Sequence, residues 1–268
     1  AGILQVAGDK NLGAADTRIT FNGGTLKYGD AFNTTRQVKL ESGGGTFDTN
    51  GFNVSLLTDV DGSGQLTKTG QGSLILTRDT TYTGGTHIAQ GTLQLGNGGK
   101  TGSVQGDIVD DGVLNVNRSN KYTLNSNISG EGQLHQTGSG NTTLAGNNSY
   151  TGATLVSNGV LQAGGSNSLS AGSYHYVAAH TSLKTQGYDQ TVAGLTNSGN
   201  ISLTGAAIGS ALTVKGNYIG TNGSINIAAM QKNSGLGVAD RLVIDGGKVS
   251  GSTLLNVDGS GLGAATVG

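Results

Sequence analysis

Apolar residues along this chain alternate with polar ones in short runs, and each run stops at glycine, asparagine or aspartate. Thr92–Leu95, Val113–Val116, Ile201–Leu203 and Leu212–Val214 are examples. A period of two places alternate side chains on opposite faces of a strand, and the punctuating residues mark turns. No segment sustains apolar positions at i, i+3, i+4 and i+7, the stripe an amphipathic helix needs. The pattern predicts an all-β chain.

The runs belong to a longer repeat. Val60–Gly96 aligns without gaps on Ile128–Gly164. Gly64, Leu66, Gly70, Gly72, Leu76, Tyr82, Gly84, Gly91 and Leu93 meet identical residues at Gly132, Leu134, Gly138, Gly140, Leu144, Tyr150, Gly152, Gly159 and Leu161. The tail of the unit appears again at residues 1–8, "AGILQVAG", as a partial copy. A sandwich or barrel calls for larger inward residues. Small, evenly spread aliphatic positions suit a parallel β-helix, in which each coil buries its apolar side chains only by stacking on the next, about 4.8 Å away. Leu66, Leu76, Tyr82, Leu93, Leu134, Leu144, Tyr150 and Leu161 are the expected stacking residues. Equivalent residues are expected to lie one above another, like upon like.

Composition narrows the function classes. The 268 residues include 50 glycines with no three-residue period, which excludes collagen. Charged residues are 12 % and the net charge is −1, so neither disorder by charge repulsion nor a basic nucleic-acid surface is expected. There is no cysteine and no proline. The first removes disulfides and thiolate sites, and the second leaves every backbone N–H free for sheet ladders. No apolar stretch is long enough to span a bilayer as a helix.

Gly62–Gly96 and Gly130–Gly164 follow the phrase GxGxLxKxGxGxLxLxxxxxYTGGTxIxxGTLxLG, with Leu155 and Ala163 as mild departures in the second copy. This resembles the autotransporter-associated β-strand repeat of Gram-negative type V secretion passengers. "LTVKGNYIGTNGSINIAAM" from Leu212 and "ADRLVIDGGKVSGSTLLNVDGSGLGAATVG" from Ala239 resemble the pertactin-like autochaperone region that closes such passengers. The resemblance implies a right-handed parallel β-helix stem over residues 1–206 and a capping, autochaperone region over 207–268. Tyr218, Ile219, Ile225, Ile227, Leu242, Val243, Ile244, Leu254 and Val257 are the implied core of that region. It also implies an exported surface or secreted protein, an outer-membrane β-barrel of its own as partner, and adhesion or self-association as function. Host-cell surfaces or glycans are the other expected partners. An excised, membrane-proximal piece beginning inside a repeat is the expected identity of the chain. A receptor-ligand or effector passenger is the alternative, and a carbohydrate-active β-helix enzyme a second one.

Catalytic chemistry is not expected. Glutamate occurs only at Glu41 and Glu131, and the tight acidic pairs, Asp110–Asp111 and Asp59–Asp61, sit beside glycine and read as solvated turn residues. His87, His135, His175 and His180 form no ligand cluster in sequence, and His87 falls where the second copy has Leu155. "GNGGKTG" lacks the phosphate-loop spacing, and "DVDGSG" and "DGSGLG" lack a full calcium series. No metal and no cofactor is expected.

Overall fold

The computed structural model describes residues 2–231 and 237–259. Ala1 of the partial copy and residues 260–268 of the C-terminal region lie outside the described residues. The described residues wind into a parallel β-solenoid of about 11 turns. Asp9–Leu12, a 3-10 turn, is the one helical element among the described residues. Ile3 pairs with Thr25, Leu66 with Thr86 and Ser182 with Asn200, so paired strands of the stem are offset by 18 to 22 residues.

Each coil has three faces. The first stacks Ile3–Val6, Gly24–Tyr28, Gly45–Asp48, Leu66–Thr69, Thr86–Ile88, Ile108–Asp110 and Ile128–Ser129. The second runs from Val54–Leu56 through Thr92–Leu95, Gln133–Gln136 and Tyr174–Val177 to the start of the long strand Tyr218–Gln231. The third carries Val60–Gly62 early in the chain and Asn141–Leu144, Val160–Ala163 and Asn200–Ser202 later. Alternate residues of each strand point inward, which produces burial patterns such as that of Thr92–Leu95, where Leu93 and Leu95 are buried between half-exposed neighbours. One continuous apolar interior runs from Val6 to Ile225.

All eight expected stacking residues are buried, and like lies upon like in places, as in the column Leu74, Leu93, Leu114 and Leu134, but the repeat counterparts do not lie one above another. Leu66, Thr86, Ile108 and Ile128 are successive partners on the first face. Three coils on from Leu66 the chain has reached Ile128, six residues short of Leu134, the repeat counterpart of Leu66. Leu134 therefore falls on the second face, in the column of Leu74, Leu93 and Leu114. The second copy is turned by one face relative to the first. The physical reason is that the repeat covers six faces, two whole coils, and the intervening segment adds four faces, one more than a whole turn. A residue and its counterpart thus meet different neighbours: Leu66 packs between Gly45 and Thr86, Leu134 between Leu114 and Thr154.

What the copies share is internal to each. Tyr82 Oη lies 2.7 Å from Thr86 Oγ1, and Tyr150 Oη lies 2.7 Å from Thr154 Oγ1, all four side chains buried. The phrase Tyr-Thr-Gly-x-Thr is therefore a tyrosine turned into the interior with the hydroxyl that satisfies its phenol four residues later. The glycine within it allows close approach: a Cβ on Gly152 would fall 2.1 Å from the carbonyl oxygen of Gly132. Two buried arginines tie down the protruding loops. Arg36 donates to the Asp9 carboxylate and to the carbonyls of Gly13 and Ala14, and Arg118 to the Asp79 carboxylate and the carbonyls of Lys100 and Gly102.

Candidate functional site: the repeat interior and the last coils

The lysine of the first copy is an interior residue. Lys68 is fully buried, and its Nζ donates to the carbonyls of Thr69, Gly70 and Gln90 at 2.9, 2.6 and 3.0 Å. Burial lowers its pKa to about 8. The counterpart Gln136 does the same work without charge: its Nε2 donates to Gly138 O at 2.7 Å and its Oε1 accepts from Thr142 Oγ1 at 2.7 Å. Both side chains turn back inside the coil and donate to carbonyls at the following corner, where Thr69 O also accepts from Thr49 N.

The last coils are built differently from the stem. Tyr218–Gln231 covers two faces in one strand, pairing with Leu195–Asn197 and then with Asn200–Ser202. Val249–Asp258 lies along it from Tyr218 to Ala228. Between them the chain leaves the solenoid as an antiparallel hairpin, Ala229 opposite Ala239 and Gln231 opposite Gly237. Asp240 anchors that excursion. Buried, it accepts from Gly209 N at 2.9 Å, Ser210 N at 3.1 Å and Ser210 Oγ at 3.1 Å on Oδ1, and from Ala228 N at 2.9 Å on Oδ2. One carboxylate thereby joins three chain segments by charge-assisted bonds. Sequence reasoning missed Asp240; its one signal is an acidic residue breaking an otherwise alternating run. Asn200, Asn226 and Asn256 form an amide ladder over the same coils, at 2.7 and 2.8 Å.

Of the expected core of this region, Tyr218 and Ile225 are buried, and Ile227, Leu242 and Ile244 pack partly buried against the interior. Ile219 is half-buried on the outer face. Three expectations are corrected. Val243 is 37 % exposed because it alternates outward between Leu242 and Ile244. Leu254 is 63 % exposed, on the outward side opposite Ser224. Val257, 53 % exposed, lies on the inward side over Ile227, with no further coil over it among the described residues.

Against known proteins, residues 66–95 and 134–163 match the passenger-associated transport repeat. Residues 190–268 match the autochaperone domain, type 1. The chain is 34 % identical over 269 aligned residues, 92 % of its length, to an adhesin autotransporter of Brucella suis biovar 1, BmaC. It belongs to the passengers of type V autotransporters. An uncharacterised Escherichia coli K12 protein, YuaQ, is 35 % identical over 153 residues, 56 % of the chain. The chain spans 8 % of the length of the Brucella relative and 11 % of that of the E. coli one. No solved structure matches it.

Within this passenger the acidic pairs do not converge. Asp110 is not a solvated turn residue: it is fully buried, the inward residue of the column that holds Phe47, Lys68 and Ile88. Its Oδ1 accepts from Gly112 N at 3.0 Å, its Oδ2 has no partner, and burial pushes its pKa up to about 7. The interior position separates it from Asp111, which faces His87 at 3.3 Å on the outside. Asp61 pairs with Arg18 at 2.9 Å. His175 is buried and its pKa is lowered to about 4 by burial, His135 and His87 lie on outer faces, and His180 is exposed. No group of three or more histidine, aspartate or glutamate side chains that could hold a metal occurs among the described residues.

Proposed function

We propose that this passenger segment is a non-enzymatic stem whose last coils nucleate folding, and that it serves an adhesin or self-associating protein on the bacterial surface. The observation that carries the folding role is the Asp240 node. It fixes the hairpin, the Gly209–Ser210 turn and the long strand in one arrangement. That arrangement gives a coil with its own hydrogen-bonded cross-links, and each preceding coil then adds to a formed edge at lower entropic cost than a new nucleus. The inward residues Val249, Leu255 and Val257 of the last strand, which lie over Tyr218, Ile225 and Ile227, support the same reading. The domain division at residues 206 and 207 and the linkage to an outer-membrane β-barrel of the same polypeptide are part of the proposal, as is export to the cell surface or the medium. Adhesion rests on likeness to the Brucella relative, whose name records an adhesin.

Removing Leu212–Gly268 tests the folding role. The remaining coils are expected to refold more slowly and to lose stability; refolding at the parental rate and midpoint would discard it. For adhesion, beads coated with this segment should retain cell binding relative to uncoated beads, and binding no better than bare beads would refer recognition to other parts of the passenger.

A further inference from the structure

The outer surface of the second face carries one feature that stem-building does not require. Along the outward column His135, Leu155, Tyr176, Thr196 and Ile219 the side chains succeed one another coil by coil. Tyr176 is 45 % exposed, and beside it Tyr174 stacks on it with ring centroids 4.7 Å apart and planes at 34°. Tyr174 is held in place. Its hydroxyl lies 3.0 Å from Thr196 Oγ1, and its ring covers Gly194, where a Cβ would fall 2.3 Å from Tyr174 Cε2. A glycine at that position of the strand leaves the room in which the ring lies down. Next to the pair is a hollow of about 270 Å³, bounded by Leu155, Ser157, Tyr176, Thr196 and Ser198. Neither the tyrosine pair nor the lining of this hollow contains an Asp, Glu, Lys or Arg.

We propose that the Tyr174–Tyr176 pair and its hollow form a binding subsite for a neutral sugar ring of a glycan; this rests on the adhesive reading of the passenger. A tyrosine presents an apolar ring face and a wet hydroxyl, which suits a ligand with one apolar face and a hydroxylated edge. The platform is ordered before binding, so little side-chain entropy remains to be lost. The Ser157 hydroxyl borders the hollow, those of Thr196 and Ser198, already bonded to Tyr174 and Thr221, keep an acceptor lone pair each, and the missing charges disfavour sulfated or sialylated chains, acidic peptides and anionic lipids. The hollow is smaller than sites that enclose a drug-sized molecule, roughly 300–1,000 Å³, so single-site binding is weak. Many passengers on one cell raise its effect by multivalency, on the order of 10²–10⁴-fold.

Saturation-transfer NMR with neutral gluco- and galacto-oligosaccharides, on the whole chain, tests the subsite. Transfer to sugar ring protons is expected, with loss of at least about tenfold in affinity for Tyr176→Ala, retention for Tyr176→Phe, and no change for Tyr188→Ala, an exposed tyrosine elsewhere on the surface. Circular dichroism checks that each variant keeps its strand content. Absence of transfer with every neutral sugar, equal binding by Tyr176→Ala, or salt-sensitive binding of sulfated glycans in preference overturns the proposal. So does a dimer, seen by sedimentation, that Tyr176→Ala abolishes, since the occupant would then be a second copy. Cell adhesion read in parallel separates the two ideas: full adhesion by Tyr176→Ala sinks the subsite alone, whereas absence of adhesion by the parent sinks the adhesive reading.

Discussion

Replacing Asp110 by asparagine should stabilise the solenoid above neutral pH and leave it nearly unchanged in acid. The carboxyl sits in the interior with one oxygen bonded to Gly112 N and the other without a partner. Its pKa rises from 3.8 to about 7, first through burial and, in a smaller part, through the neighbouring Asp111 charge. Between those two values the folded chain holds a proton that the unfolded chain has released. Stability is therefore highest below the unfolded value and falls as pH rises through the folded value, the reverse of a salt-bridged carboxylate. A rise of about 3 pKa units corresponds to at most about 4 kcal/mol, fully lost above pH 7. Asparagine keeps an acceptor for Gly112 N and has no charge to bury. Urea midpoints of parent and variant at pH 4, 6 and 8 give the difference directly. Comparison at each pH is needed because His175, with its pKa lowered to about 4, makes the parent lose stability as pH falls from about 6.5, in the opposite sense. Equal midpoint differences at pH 4 and pH 8 would show that Asp110 does not titrate in the folded chain, and a destabilised variant at pH 8 would show that its charge is favourably placed.

Other changes separate the repeat's internal bonds from its packing. Tyr82→Phe leaves Thr86 without its phenol partner, whereas Tyr150→Phe leaves Thr154 still bonded to Ser173 Oγ at 2.7 Å. Urea midpoints should show a larger loss for the first, about 1–3 kcal/mol, than for the second, about 0.5–1.5 kcal/mol. Gly152→Ala drives a Cβ into the Gly132 carbonyl and should cost about 2 kcal/mol or more, while Gly165→Ala, with open space around it, should stay within about 0.5 kcal/mol. Asp240→Ala removes the acceptor of four bonds at the last coils; a loss of about 3 kcal/mol and slower refolding by stopped-flow are expected, and unchanged refolding would separate the node from nucleation.

Period-two alternation made the strands legible, and the long gapless repeat made the solenoid legible, because both are local. The register between coils is not local. Leu66 and Leu134 are the same letter in the same phrase, yet the length of chain between them decides that one packs on Thr86 and the other on Leu114. No phrase states that length as a rotation; it emerges only when coils of 18 to 22 residues are wound through it. The same limit hid Asp110. Beside Asp111 and Gly112 it reads as a turn, and only the register that places it after Phe47, Lys68 and Ile88 shows it to be inward. Leu254 and Val243 were misjudged for the converse reason: in an apolar run every residue invites burial, but the strand sends alternate ones outward.

The rotation also bears on why the two copies can differ where they do. Because the counterparts share no column, each position answers to its own coil neighbours, and Lys68 can become Gln136 without changing what lies above or below the other copy. The constraint that survives rotation is the one closed within the phrase itself: the tyrosine and its threonine four residues on, the glycines whose backbones approach, and a long polar side chain that turns back to the corner carbonyls. Between coils the chain is joined by backbone ladder bonds, which any residue but proline can make, and by side-chain bonds such as that of Asn115 to Gln94, while the interior contacts are mainly apolar. Apolar contact tolerates Leu on Leu, Leu on Thr or Ile on Ile alike, provided volume is kept. The same phrase can then sit on different faces of the solenoid, as the two copies do here with Leu66 on the first face and Leu134 on the second.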